Sequence, residues 1–174
     1  MCGAAALTAA LNHMTIHVNQ FQVASGTQTA KPMGTPWKGI LKYASGKRIR
    51  CSATKETPDI AIKGLVRERK YALLDWGDQP GHWLLACGWE GTQEVIVFMD
   101  PCRRPSPFFG MKWGDFCTFW NQQNRKITRI AISLHTKMAN PKSTKGLEDR
   151  KRFDLESWTL THVPRNNPHA PKPA

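Results

Sequence analysis

The sequence contains no apolar stretch that approaches the roughly 18 to 20 residues needed to cross a bilayer. Its beginning also lacks the charged region, long apolar run and small-residue cleavage site of a secretory signal. These two absences predict, for the chain as given, a cytoplasmic protein without a membrane span.

Acidic residues are scarce, with 13 Asp and Glu against 25 Lys and Arg, which gives a formal charge of +12. Much of the basic excess falls between Lys38 and Lys70, where no aromatic interleaving or zinc-finger pattern accompanies it. A solvated basic face is therefore predicted and a nucleic-acid groove is disfavoured. A docking surface for an acidic partner stays open as an alternative.

The cysteines lack the spacing of a structural framework. They are odd in number and form no Cys-x-x-Cys pair, so neither disulfides nor a Cys-rich zinc site is indicated, and reduced thiols are expected. His13 and His17 have a helical i, i+4 spacing, but no acidic or thiol partner stands in motif spacing with them. No metal and no organic cofactor is predicted.

The length of 174 residues and the 40% hydrophobic content suit one compact core. Residues 1–135 are predicted to form that domain. From residue 136 to residue 174 the chain becomes polar, basic and proline-rich, which predicts a partly disordered C-terminal tail.

The first half of the domain carries helix signals. Residues 3–14 have apolar side chains at helical spacing, and residues 19–35 are predicted to be a loop. A second helix is predicted to begin with Thr35 as its cap and to end near Gly46. The Thr57–Asp59 segment repeats the same start signal for a third helix.

The second half carries strand signals. Three short apolar runs bounded by Gly, Pro or Asp predict consecutive antiparallel strands, followed by a proline-rich loop, a helix and a last strand. The strands are expected at residues 71–76, 83–89, 95–99 and 127–134, and the helix at 113–120. Helices first and strands later indicate an α+β fold, with an N-terminal helical layer packed on an antiparallel β-sheet.

Cys2 stands at the first turn of the first predicted helix. A thiol with a pKa of about 8.5 is mostly protonated at neutral pH, but the positive end of a helix favours the thiolate. The backbone N–H of Cys2 is also a candidate donor to the oxyanion that forms when the thiolate attacks a carbonyl. Cys2 is therefore a candidate nucleophile.

His82 and Asp100 are the candidate partners of Cys2. A three-residue turn around residues 90–92 would place His82 directly opposite Asp100 on the neighbouring strand, close enough for the carboxylate to orient the ring. A two-residue turn would put the two side chains on opposite faces of the sheet, and a bulge would restore the contact. The chain thus offers Cys2, His82 and Asp100 as a catalytic set.

Three blocks of this sequence resemble the papain-like cysteine peptidases, and most closely the bacteriocin-processing, double-glycine-leader type and its stand-alone relatives. The matching blocks are residues 2–7 (CGAAAL), 81–89 (GHWLLACGW) and 95–101 (VIVFMDP). The resemblance covers residues 2–134 and implies a papain-like fold and peptide substrates. It also implies cleavage after small residues such as Gly-Gly.

The chain departs from that family in one respect. Family members carry a glutamine several residues before the cysteine, where it completes the oxyanion hole, whereas here only Met1 precedes Cys2. Three explanations stay open: a longer parent protein, a different donor, or lost catalysis. Removal of Met1, with the amine of Cys2 as its own base, would leave His82 and Asp100 unexplained.

The sequence thus predicts a cysteine peptidase that hydrolyses amide bonds through Cys2, His82 and Asp100. One alternative is a catalytically inactive papain-like module that binds a peptide or partner protein. The other is a basic adaptor that docks through residues 38–70.

Overall fold

In a computed structural model, the protein is described over residues 1–31, 33–68, 70–76, 82–122 and 129–136. These segments contain five α-helices and six β-strands, in the following order: α1 Cys2–His13, α2 Gln20–Gly26, α3 Trp37–Gly46, β1 Ile49–Thr54, α4 Asp59–Arg67, β2 Tyr71–Asp75, β3 Trp83–Glu90, β4 Val95–Met99, β5 Phe108–Lys112, α5 Trp113–Gln122 and β6 Ala131–Thr136.

The strands form one antiparallel sheet in the order β1-β6-β2-β3-β4-β5. Helices cover both of its faces. On one face α1, α2 and α3 pack against Leu73, Leu85 and Ile132. On the other face α4 and α5 pack against Leu74 and Leu84. The α+β prediction is confirmed, and the second helical layer explains why β4 is buried along its whole length instead of alternating.

The first helix agrees with its prediction. Ala6, Leu7, Ala10 and Leu11 are fully buried, because their spacing places them on the face of α1 that packs against the sheet. Small alanines on that face let the helix approach the sheet closely. This packing fixes the beginning of α1, and with it Cys2, relative to β3.

Two helix predictions need correction. The segment predicted as a loop contains α2, which begins with a capping box in which Asn19 accepts from the Gln22 backbone and Gln22 accepts from the Asn19 backbone. The predicted cap Thr35 does not cap α3, because Pro36 is the residue before the helix. Thr35 is buried, and its carbonyl accepts a hydrogen bond from Trp83 Nε1 at 3.0 Å.

The edges of the sheet also differ from the prediction. The strands β1 and β5 were not expected, and each pairs with one neighbour only. The strand β6 lies later than the predicted 127–134, and residues 123–128 are outside the described segments. Except for Thr136 at the end of β6, the predicted tail from 136 to 174 also lies outside the described residues.

The basic stretch from Lys38 to Lys70 does not form one face. Its helix α3 packs on one side of the sheet and its helix α4 on the other. Lys63 in α4 pairs with Glu94 at 3.0 Å. Binding of an acidic partner stays a prediction. The prediction that nucleic-acid binding is disfavoured is likewise untested. No helix in the described part of the chain is long and apolar enough to cross a membrane.

Candidate active site

The beginning of α1 meets the ends of two neighbouring strands. Cys2 is the first residue of α1 and is half-buried. His82 directly precedes β3, and Asp100 directly follows β4. Because β3 and β4 are antiparallel neighbours, these two residues lie at the same end of the sheet. Cys2 is hydrogen-bonded to the His82 side chain, so the three predicted site residues are brought together.

The Asp100 carboxylate lies beside the His82 ring, near its Nε2 atom. His82 Nε2 lies 3.5 Å from Asp100 Oδ1, and both side chains are mostly shielded from solvent. The same oxygen, Asp100 Oδ1, accepts a hydrogen bond from the backbone N–H of Cys102 at 2.8 Å. Backbone bonds hold the two positions, from Trp76 N–H to the His82 carbonyl and from Asp100 N–H to the Pro107 carbonyl.

The register that produces this contact differs from the predicted one. Four residues, not three, connect Glu90 to Val95, and a bulge lies between Ala86 and Gly88. Without the bulge, Asp100 would fall on the opposite face of the sheet from His82. With it, Leu85 pairs with Met99, so Asp100 lies diagonally from His82, within reach of a long side chain. The prediction of direct opposition is wrong, and the bulge considered as an alternative is present.

The electrostatics of the cluster favour a thiolate beside an imidazolium. Hydrogen bonds to Asp100 and to Cys2 raise the pKa of His82 to about 10, against the opposing effect of burial. Burial opposes ionisation of Cys2, but hydrogen bonds from the His82 side chain and the Trp83 backbone, together with the His82 charge, lower the pKa of Cys2 below its ordinary value. Burial likewise opposes ionisation of Asp100, while His82 and the Cys102 N–H lower its pKa.

Two other thiols differ sharply from Cys2. Burial raises the pKa of Cys87 to about 12. Burial and the neighbouring Asp59 carboxylate raise the pKa of Cys117 to about 12. These raised pKa values favour the protonated, less reactive form of both thiols at neutral pH, whereas the pKa of Cys2 is lowered.

No protein-family model and no curated protein matches the chain. Among solved structures, it is similar to the peptidase domain of Streptococcus ComA, a bifunctional ABC transporter involved in quorum sensing, with a TM-score of 0.59 and 18% identity over 78% of this chain and 91% of that one. It is also similar to a double-glycine-motif protease from an AMS/PCAT transporter in complex with the leader peptide, with a TM-score of 0.57 and 17% identity over 78% and 84% of the two chains.

The chain has the papain-like α+β fold. The predicted resemblance is thereby confirmed for the fold. At 17 to 18% sequence identity, these similarities show the fold alone.

Within this fold, Gly3 lets α1 come close to β3. A Cβ atom at Gly3 would lie 2.6 Å from Thr35 Cβ and 2.7 Å from Trp83 Cδ1. Both neighbours are buried, and the Trp83 indole is held by its bond to the Thr35 carbonyl. This contact of Gly3 with Thr35 and Trp83 was not predicted, although the glycine directly behind Cys2 is a sequence signal for a close approach.

Gly3→Ala is expected to destabilise the protein by about 1 to 3 kcal/mol, because neither buried neighbour can move aside without strain. Urea denaturation measures the effect. Gly64→Ala is the matched control, since Gly64 lies within α4 and a Cβ there meets nothing within 4 Å. This control is expected to be neutral or stabilising by up to about 1 kcal/mol. Equal unfolding midpoints for the two variants would contradict the close approach at Gly3.

Glutamine is the donor type that the family places before the cysteine, and two glutamines of this chain lie in α2. Gln22 is engaged in the capping box of α2, and Gln20 is the first residue of that helix. Gln79 lies outside the described residues. The positive end of α1 remains as the feature of the site that would stabilise an oxyanion at Cys2.

Proposed function

We propose that the chain is a cysteine peptidase that hydrolyses peptide bonds, with Cys2 as nucleophile, His82 as general acid and base, and Asp100 as the residue that positions the His82 ring. The single observation that carries this proposal is the hydrogen-bonded series from Cys2 through His82 to Asp100, at the junction of α1 with β3 and β4. A histidine with only a structural role needs neither a thiol of lowered pKa on one side of its ring nor a carboxylate on the other.

In the first step, the Cys2 thiolate attacks the carbonyl carbon of the scissile amide and forms a tetrahedral oxyanion. The positive end of α1 stabilises the negative charge on that oxygen. The His82 imidazolium then donates its proton to the amide nitrogen, the C–N bond breaks, and the amine leaves. The product of this step is a thioester on Cys2.

In the second step, neutral His82 accepts a proton from water, and the resulting hydroxide adds to the thioester carbonyl. Collapse of the intermediate releases the carboxylic acid and returns the Cys2 thiolate beside protonated His82. Asp100 holds the ring through both steps and stabilises its charged form. These steps require no metal and no organic cofactor.

The proposed substrate is a peptide cut after small residues such as Gly-Gly. Support comes from the similar structures, of which one is a double-glycine-motif protease in complex with a leader peptide. Incubation with synthetic peptides that contain Gly-Gly, and with matched peptides that contain Leu-Leu at the same positions, tests the preference by mass spectrometry. The Gly-Gly peptides are expected to be cleaved at least about tenfold faster.

The same peptides separate the peptidase from a module that binds without cleaving. Fluorescence anisotropy of a labelled Gly-Gly peptide reports binding, and mass spectrometry reports cleavage by the unmodified chain. Cleavage directly after the second glycine supports the proposal. Saturable binding with an intact peptide after prolonged incubation would contradict it and would favour the catalytically inactive module.

A further inference from the structure

The proposed mechanism leaves one thiol at the site without a role. Cys102 is exposed in the turn that follows β4, two residues after Asp100. One ligand atom each from His82, Asp100 and Cys102 lies within 4.8 Å of the others. The turn is held in place by the bond from the Cys102 backbone N–H to Asp100 Oδ1.

These three side chains supply one nitrogen, one oxygen and one sulfur donor. Imidazole and thiolate are preferred ligands of Zn²⁺, whereas Mg²⁺ and Ca²⁺ prefer sites built from oxygen donors alone. Three protein ligands with one open position form a common zinc arrangement, in which water fills the fourth place. We propose that His82, Asp100 and Cys102 form an inhibitory Zn²⁺ site at the proposed catalytic centre.

The geometry requires only a local adjustment. Zinc–ligand bonds of about 2.0 to 2.3 Å in a tetrahedron place ligand atoms about 3.3 to 3.8 Å apart. His82 Nε2 and Asp100 Oδ1 already satisfy this spacing at 3.5 Å. To complete the tetrahedron, Cys102 Sγ must come closer to these two atoms. Its side chain is exposed and can rotate toward them. The charge of Arg103, which acts on Asp100, opposes cation binding, and the negative charge that Cys102 gains when it loses its proton to bind the metal offsets it.

Bound Zn²⁺ would take the His82 ring away from its proton-transfer role. A nitrogen that binds the metal cannot carry a proton, so the imidazolium beside Cys2 is lost. This inhibitory consequence rests on the proposed function, whereas Zn²⁺ binding itself does not. The three ligands do not form a continuous sequence motif, because they come from the ends of two different strands.

Direct binding is the first test. The full chain is treated with EDTA, dialysed and titrated with Zn²⁺ in a calorimeter, alongside Cys102→Ser and the thiol control Cys51→Ser. Saturable binding is expected for the unmodified chain and for Cys51→Ser, with affinity at least about tenfold weaker in Cys102→Ser. Equal affinity in all three proteins, or no binding by the unmodified chain, would overturn the site.

Two further measurements separate this proposal from the peptidase proposal. Co²⁺ bound to the unmodified chain should show a thiolate charge-transfer absorption that Cys102→Ser loses, and this readout needs no catalysis. Zn²⁺ should slow alkylation of Cys2 by iodoacetamide at least about tenfold in the unmodified chain, with a much smaller ratio in Cys102→Ser. The same Zn²⁺ sensitivity in both proteins would overturn the role of Cys102, whatever the outcome of the peptide assays.

Discussion

Replacement of Cys2 by alanine is expected to abolish peptide hydrolysis, with a loss of about 10⁴-fold or more in turnover. Cys2 Sγ forms the covalent bond of the thioester intermediate, so no neighbouring group can take over this step. The pKa of the Cys2 thiol is lowered, whereas those of Cys87 and Cys117 are raised to about 12. Turnover of the peptide that the unmodified chain cleaves fastest is the measurement.

Cys51→Ala is the matched control for this loss. Cys51 is half-buried like Cys2, but it lies in β1 and contacts Ser45 Oγ and the Leu41 carbonyl, away from the site. The control should retain turnover within a few-fold of the unmodified chain. Persistence of hydrolysis in Cys2→Ala would assign the activity to another group and contradict the account.

Replacement of His82 by alanine is expected to remove the reactive state of Cys2 while leaving the thiol in place. Without the imidazolium, Cys2 loses the hydrogen bond and the positive charge of His82, which lower its pKa. Because burial raises that pKa, the pKa of Cys2 increases. At about pH 5, an ordinary thiol with a pKa of about 8.5 is ionised in about one molecule in 3,000. Since thiolates of higher pKa are stronger nucleophiles, we expect iodoacetamide labelling to fall by about tenfold to a hundredfold.

The labelling comparison is made on EDTA-treated protein, with modification at each cysteine read by peptide mass spectrometry. His17→Ala is the matched control, because His17 is exposed in the segment between α1 and α2, so the substitution removes an imidazole outside the candidate site. Labelling of Cys2 in His17→Ala should equal that of the unmodified chain. An unchanged rate in His82→Ala would show that the imidazole does not activate the thiol.

The candidate residues Cys2 and Asp100 are each marked by their immediate neighbours in the sequence. Cys2 precedes a glycine and an alanine-rich helix, and Asp100 ends an apolar strand before a proline. Their meeting in space depends on features with weaker sequence signals. The bulge near Cys87 and the four-residue turn after Glu90 set the register, and neither is marked by the Asn-Gly or Asp-Gly pair of a tight hairpin.

The missed elements have physical explanations of the same kind. The edge strands β1 and β5 bury little of their surface, so their sequences lack the continuous apolar runs that identified β2, β3 and β4. The short helix α2 was marked only by its Asn-x-x-Gln capping box. Thr35 carried a typical cap signal, but its burial against Gly3 and Trp83 determines its place. Tertiary packing therefore decided the place of Thr35, whereas the missed helix and edge strands had only weak local signals.

The most direct test of the account is the pH dependence of Cys2 alkylation in the metal-free, unmodified chain. With the pKa of Cys2 lowered and that of His82 raised to about 10, thiolate and imidazolium coexist between the two values. The rate should therefore rise with an inflection below about 8.5, stay high through neutral pH, and change again near pH 10 as His82 loses its proton. A single inflection at about 8.5 or above, with slow labelling at neutral pH, would contradict the central claim that His82 activates Cys2.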